Sequence, residues 1–140
     1  MTPDRRGEAE DLTDEEYRRL ASFRSALRRF LRFSEDAARE AGLTPQQHQL
    51  LLAARGWPGD GDPTVGTLAD MLQLRHHSTV ELVRRAEDAG LVAVNADPDD
   101  RRRQLVSPTP RGLALLSTLT ILHRDELRRL RDELAAALDL

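Results

Sequence analysis

The sequence predicts a mainly α chain with one small β-hairpin, on three observations. Residues 64–89 carry two short amphipathic helical patterns separated by a turn around Gln73–Arg75. Two strand-like runs, Leu91–Asn95 and Gln104–Ser107, then flank a charged turn. Amphipathic helical patterns occupy both ends of the chain.

A length of 140 residues implies one domain. Residues 1–11 are polar, with Pro3 and Gly7, and read as a flexible tail ahead of a domain over 12–140. Thr13 and Glu16 fit a capping box that opens a helix to about Ala41. Leu20, Phe23, Leu27, Phe30, Leu31 and Phe33 recur along it at spacings of three and four, so one face is buried. Gly42 ends it. Thr44-Pro45-Gln46-Gln47 is a second helix start, with a cap, Pro at the first position and Gln at the third. Leu50, Leu51, Leu52 and Ala53 make that helix short and mostly buried. Gly56–Pro63 is a loop by composition and holds the single Trp, Trp57, expected to pack the loop down.

In the central segment, Thr64 can cap a helix whose inward face is Val65, Leu68, Ala69 and Leu72. The helix after the turn runs to Ala89 and presents Leu82, Val83 and Ala86 inward, with Gly90 just past its end. Two helices joined by so short a turn form a helix-turn-helix, whose second helix can enter a DNA major groove. A hairpin with Asp97–Arg103 at its tip completes a winged helix. After Gly112 the chain returns to helix, with Leu113, Leu115, Leu116, Leu119, Ile121 and Leu122, then Leu127, Leu130, Leu134 and Leu138. So narrow a domain has too little core to bury all of these Leu faces alone, which points to a second copy.

The net charge of −3 hides an asymmetry. Residues 1–16 hold seven acidic side chains against Arg5 and Arg6, a local −5, which leaves about +2 on the rest. All 21 basic residues are Arg, the side chain suited to bidentate base contacts and narrow minor grooves. The chain has no Cys, which excludes disulfides, thiolate metal sites and a thiol redox sensor in this polypeptide. No apolar run reaches about 18 residues and no signal-peptide pattern opens the chain, so no membrane association and a cytoplasmic location are expected.

On the second helix of the motif, His76, His77, Ser78 and Thr79 occupy the first turn, where a recognition helix meets base edges. Ser78, Glu81 and Arg85 share the outward face. Glu81 would repel phosphate; it can accept from a cytosine amino group or pair with Arg84 or Arg85. Arg101, Arg102 and Arg103 stand at the wing, where strand alternation would send Arg101 and Arg103 to one side and Arg102 to the other. Asp99 and Asp100 are expected to stiffen that turn. His76 and His77 point about 100° apart on a helix, so they do not chelate one ion, and no metal site is expected. No phosphate loop, zinc-protease helix motif or nucleophile elbow is present, so the chain is not expected to be an enzyme.

The segment resembles the multiple antibiotic resistance regulator (MarR) family of bacterial transcription factors. The resemblance rests on Asp97-Pro98-Asp99-Asp100-Arg101-Arg102 after a helix-turn-helix, with Thr109 and Gly112 following. Pro108 stands where the family's signature has Leu, and Arg84 where relatives carry Asp. The resemblance implies a winged helix-turn-helix over 64–112 flanked by dimerisation helices over 12–42 and 113–140. It implies a homodimeric, sequence-specific regulator, repressor rather than activator, on double-stranded DNA with a pseudo-palindromic operator. Its DNA contacts would be His76, His77, Ser78, Thr79, Arg84, Arg85, Arg101, Arg102 and Arg103, with Arg102 in the minor groove and an Arg85–Asp100 brace between helix and wing. Relatives bind small aromatic or anionic effectors, which implies a cleft lined by Arg24, Phe30, Phe33, His48, Leu51 and Trp57; no cofactor is implied. The alternative from the residues is a helical protein-interaction module that has lost specific DNA binding, favoured by Glu81, Pro108 and the acidic tail.

Overall fold

A computed structural model describes residues 11–139. The tail expected over residues 1–11 therefore lies outside the described residues, except for Asp11. The elements are α1 (Asp14–Glu40), α2 (Pro45–Gly56), α3 (Val65–Leu72), α4 (His76–Asp88), β1 (Val92–Ala96), β2 (Gln104–Pro108) and α5 (Pro110–Leu138). They divide into two compact units, residues 34–122 and a unit built from residues up to 33 and from 123 onward. Among the described residues no helix is long and apolar enough to cross a membrane.

The first unit consists of the beginning of α1 and the end of α5. Its helix start is the capping box: Thr13 Oγ1 accepts the Glu16 N–H at 3.3 Å, and Glu16 Oε2 accepts the Thr13 N–H at 2.8 Å. His123 is buried and meets Phe30 and Phe33 edge-on, at ring separations of 6.0 and 5.4 Å. Arg29 Nη2 pairs with Glu133 at 2.6 Å. Tyr17, Leu20, Leu31, Leu127 and Leu138 remain exposed, so this pair of helices leaves much of its apolar face unburied. Leu127, Leu130, Leu134, Ala135 and Leu138 line an apolar trough of ≈ 520 Å³ along α5.

The second unit carries the packed core. α1 ends where Gly42 takes φ 83° and the Leu43 N–H reaches back to the Ala38 carbonyl at 2.9 Å, a C-terminal cap that needs a left-handed residue. Thr44 and Gln47 make the reciprocal cap of α2 expected from the sequence. Leu50 and Leu51 of α2 are fully buried with Leu68, Leu91, Val92 and Val106, so α2 is the central strut beneath α3, α4 and the hairpin. The Trp57 loop closes on itself: its indole ring covers Gly59, and its Nε1 donates to the Gly61 carbonyl at 2.9 Å.

β1 and β2 pair antiparallel, Val92 opposite Pro108 and Ala96 opposite Gln104. Pro108 ends a strand, where its missing N–H costs no ladder bond. A bridge between Thr64 and Leu105, with the Val106 N–H donating to the Pro63 carbonyl at 2.9 Å, ties the wing to the start of α3. The strands run one residue further toward the C-terminus than the sequence reading placed them, because the Gly90 turn takes Leu91 as well.

Candidate nucleic-acid interface

The α3–α4 corner sets the geometry. Thr64 Oγ1 accepts the Thr67 N–H at 3.1 Å and caps α3. At the other end Gln73 adopts φ 55°, ψ 42°, and its N–H and that of Leu74 close onto the Asp70 and Ala69 carbonyls. That left-handed cap makes the turn short enough to send α4 off at once.

On α4, Leu82, Val83 and Ala86 are buried, as the periodicity requires, and His76, His77 and Ser78 are exposed. Thr79 is a correction. It was expected at the DNA surface, but it is fully buried and its hydroxyl donates to the Arg75 carbonyl at 3.0 Å. It stands three and four residues before Leu82 and Val83, so the same 3.6 periodicity that placed those two inside also places Thr79 there. Its neighbour Val80 is the exposed residue, at 43%.

The basic residues of α4 are not free. Glu81 Oε2 accepts from Arg84 Nε at 3.1 Å, and Glu81 Oε1 accepts from Arg84 Nη2 at 2.5 Å and from Arg85 Nε at 3.1 Å. The Arg84 hydrogen bond, followed by the charge beside it, holds the Glu81 carboxyl below the usual range, and the same contact raises Arg84. The brace expected between Arg85 and Asp100 is absent among the described residues. Arg85 is one turn from Glu81, and a contact on the same helix costs less ordering than one across to the wing.

Asp100 organises the wing instead. Its Oδ1 accepts the Arg102 N–H at 3.1 Å and Arg102 Nε at 3.2 Å, and its Oδ2 lies 3.7 Å from Arg103 Nε. The Arg102 side-chain and backbone donors, in that order, hold the Asp100 carboxyl below its ordinary value. Asp97, rather than Asp99, supplies the second brace, its Oδ1 accepting the Asp99 N–H at 2.9 Å. Residues 101–103 lie in the turn and not on a strand, so the alternation expected for the three Arg does not apply. All three face one cleft of ≈ 560 Å³ together with Gln104, Gly66, Thr67, His76 and Val80. Val80, Thr67 and Gln104 were not among the sequence candidates. Val80 could have been found from the α4 periodicity, whereas Thr67 and Gln104 reach the cleft only through the fold.

The far end of α4 is anchored as firmly. Arg111 Nη1 donates to the Ala89 carbonyl at 2.5 Å, and Thr109 Oγ1 donates to the Gly90 carbonyl at 2.6 Å while accepting the Gly112 N–H at 3.1 Å. Gly112 packs against the Leu91 carbonyl with no room for a Cβ. Glu87 Oε2 accepts the Val94 N–H at 3.2 Å and joins α4 to the hairpin.

The six residues expected to line an effector cleft divide between the two units. Arg24, Phe30 and Phe33 belong to the first, where His123 is an aromatic partner that the sequence reading did not single out. His48, Leu51 and Trp57 belong to the second. There His48 and Leu51 are closed into the core at 2% and 0% exposure, and the Trp57 ring is committed to its own loop. Leu51 and His48 therefore do not line an open surface of their unit, because α2 is its central strut.

A short left-handed corner, an exposed second helix and an arginine-tipped hairpin over one cleft define a winged helix-turn-helix. Residues 41–103 match the MarR family model. No curated protein sequence matches the chain. Among solved structures, AbsC of Streptomyces coelicolor, a MarR family transcriptional regulator, is 23% identical, with 85% of this chain and 80% of that chain covered and a TM-score of 0.71. S. aureus MepR in its DNA complex is 20% identical, with 88% and 85% covered and a TM-score of 0.68. Bordetella bronchiseptica BpsR, whose DNA binding is regulated by 6-hydroxynicotinic acid, is 24% identical, with 76% and 74% covered and a TM-score of 0.62. At these identities the likeness is one of fold.

Proposed function

We propose that this protein is a sequence-specific DNA-binding transcriptional regulator of the MarR family, acting in the cytoplasm as a homodimer on a pseudo-palindromic operator. The observation that carries the reading is the cleft in which Arg101, Arg102 and Arg103 face His76 and Val80 of α4. One duplex strand passing between a major and a minor groove would lie in it, with α4 in the first groove and the wing in the second. His76, His77 and Ser78 contact base edges, Val80 offers a methyl surface to thymine, and the wing arginines bind phosphate and the minor groove. The MepR–DNA complex supports this assignment through the shared fold.

Dimerisation draws on the exposed Leu20, Leu31, Leu127 and Leu138 of the first unit. Completing the burial of each half-exposed Leu contributes about 1 kcal/mol, so a helix interface is strongly favoured. Repression follows from a dimer seated over a promoter. An aromatic or anionic effector would act by changing the spacing of the two α4 helices. BpsR supports that form of control, and the Phe30–Phe33–His123 cluster is the aromatic surface from which it would start. The test is mobility shift on the DNA upstream of the chain's own coding region across a salt series. A specific shift that weakens steeply with salt is expected. Absence of any shift at low salt from a dimer would overturn the reading.

A further inference from the structure

The structure assigns Glu81 as a specificity-determining residue that selects a cytosine in each half-site by accepting its N4 amino hydrogen. This rests on the DNA-binding reading above and adds to it the base chemistry of one position. The starting point is a conflict of charge. A carboxylate on the outward face of a DNA-binding helix is repelled by phosphate, so it weakens binding to every sequence alike unless a base contact offsets it.

The geometry shows how that conflict is contained. An ionised carboxylate has about four acceptor sites. Glu81 Oε1 receives two donors, Arg84 Nη2 and Arg85 Nε, and is filled. Oε2 receives one, Arg84 Nε at 3.1 Å, which leaves one acceptor site on that oxygen. The side chain is 44% exposed, so the remaining site is open to a partner outside the chain. The two guanidinium groups hold one rotamer and offset the charge, and the carboxyl stays ionised and therefore acceptor-only. What is presented outward is a single, pre-oriented acceptor.

In the major groove only amino groups satisfy such an acceptor. Cytosine presents N4 as a donor with no acceptor of its own beside it. Adenine presents N6 next to the N7 acceptor, whose lone pair would face the carboxylate. Guanine and thymine present acceptors and a methyl group. The single open site on Oε2 thus matches cytosine.

The test is selection of binding sites from a randomised duplex pool by the full-length protein and by Glu81→Ala and Glu81→Gln, with binding to the selected site and to unrelated DNA measured for each. The wild type is expected to prefer cytosine by about tenfold at one position per half-site. Glu81→Ala should lose that preference while keeping the other positions and should bind unrelated DNA more tightly than wild type, whereas Glu81→Gln, whose amide both donates and accepts, should move the preference toward adenine N6 and N7. Glu81→Gln keeps an acceptor and the side-chain volume, so its folding controls for the loss of the arginine contacts. A defined site selected identically by wild type and both variants would overturn the role of Glu81 while leaving the DNA reading in place. A wild type that selects no sequence would overturn both.

Discussion

Arg101→Ala is the most informative single substitution, because Arg101 is the wing guanidinium that makes no ion pair among the described residues. Arg102 and Arg103 both lean on Asp100, at 3.2 and 3.7 Å. Arg101 lines the cleft with its charge uncompensated, so its full positive charge is available to a phosphate. Each phosphate neutralised contributes about 0.9 to the slope of log affinity against log salt. A dimer loses two such contacts in this variant, so its slope should be shallower by about 1.8. Between about 50 and 200 mM salt the wild type should then lose roughly twelvefold more affinity than the variant. The variant is weaker at low salt, and the two curves converge as salt rises. Fluorescence anisotropy on a specific duplex at four or five salt concentrations measures this directly. Arg39→Ala is the control, since Arg39 pairs with Asp36 on α1 and lies outside the cleft. If Arg101→Ala and wild type give the same slope, the cleft does not hold the phosphate strand.

Arg102→Ala should weaken DNA binding while the dimer persists in sedimentation, although part of the loss will come from the Asp100 contacts that order the turn. Thr79→Val removes a hydroxyl whose one hydrogen-bond partner among the described residues is the Arg75 carbonyl. It should cost roughly 1 kcal/mol of stability or less and leave the affinity of the folded protein for DNA unchanged; a large affinity loss would return Thr79 to the interface. Gly112→Ala drives a Cβ into the Leu91 carbonyl and within 3.0 Å of Leu51 Cδ2. About 1–3 kcal/mol should be lost in urea unfolding, because a backbone oxygen cannot rotate away. Acid should loosen both arginine clamps. The Glu81 and Asp100 carboxyls sit below their ordinary values of 4.5 and 3.8, so their contribution is present above those values and lost as pH falls through the lowered folded ones. Glu81→Gln and Asp100→Asn should therefore lose less stability than wild type when urea midpoints are compared at about pH 6 and about pH 3. Equal losses would show that the clamps add nothing to folding.

Much of the fold was legible because its signals are local. Caps such as Thr44 with Gln47, the glycines at 42 and 90, and the three- and four-residue spacing of Leu82, Val83 and Ala86 act within a few residues of themselves, so the sequence alone sets where α2 begins, where α1 and α4 end and which face of α4 is inside. The wing was legible for the same reason, since a turn rich in Asp and Pro between two β-prone runs has few other uses. Thr79 stands in the first turn of α4 yet lies inside, because periodicity with Leu82 and Val83 outweighs first-turn position. The ion pairs were a different matter. Glu81, Arg84, Arg85, Asp100, Arg102 and Arg103 offer several pairings of similar energy, and the choice depends on distances of an ångström or two set by how the hairpin leaves α4. Only the tertiary structure decided that Asp100 holds the wing's own arginines and that Thr67 and Gln104, 37 positions apart in the sequence, line one cleft.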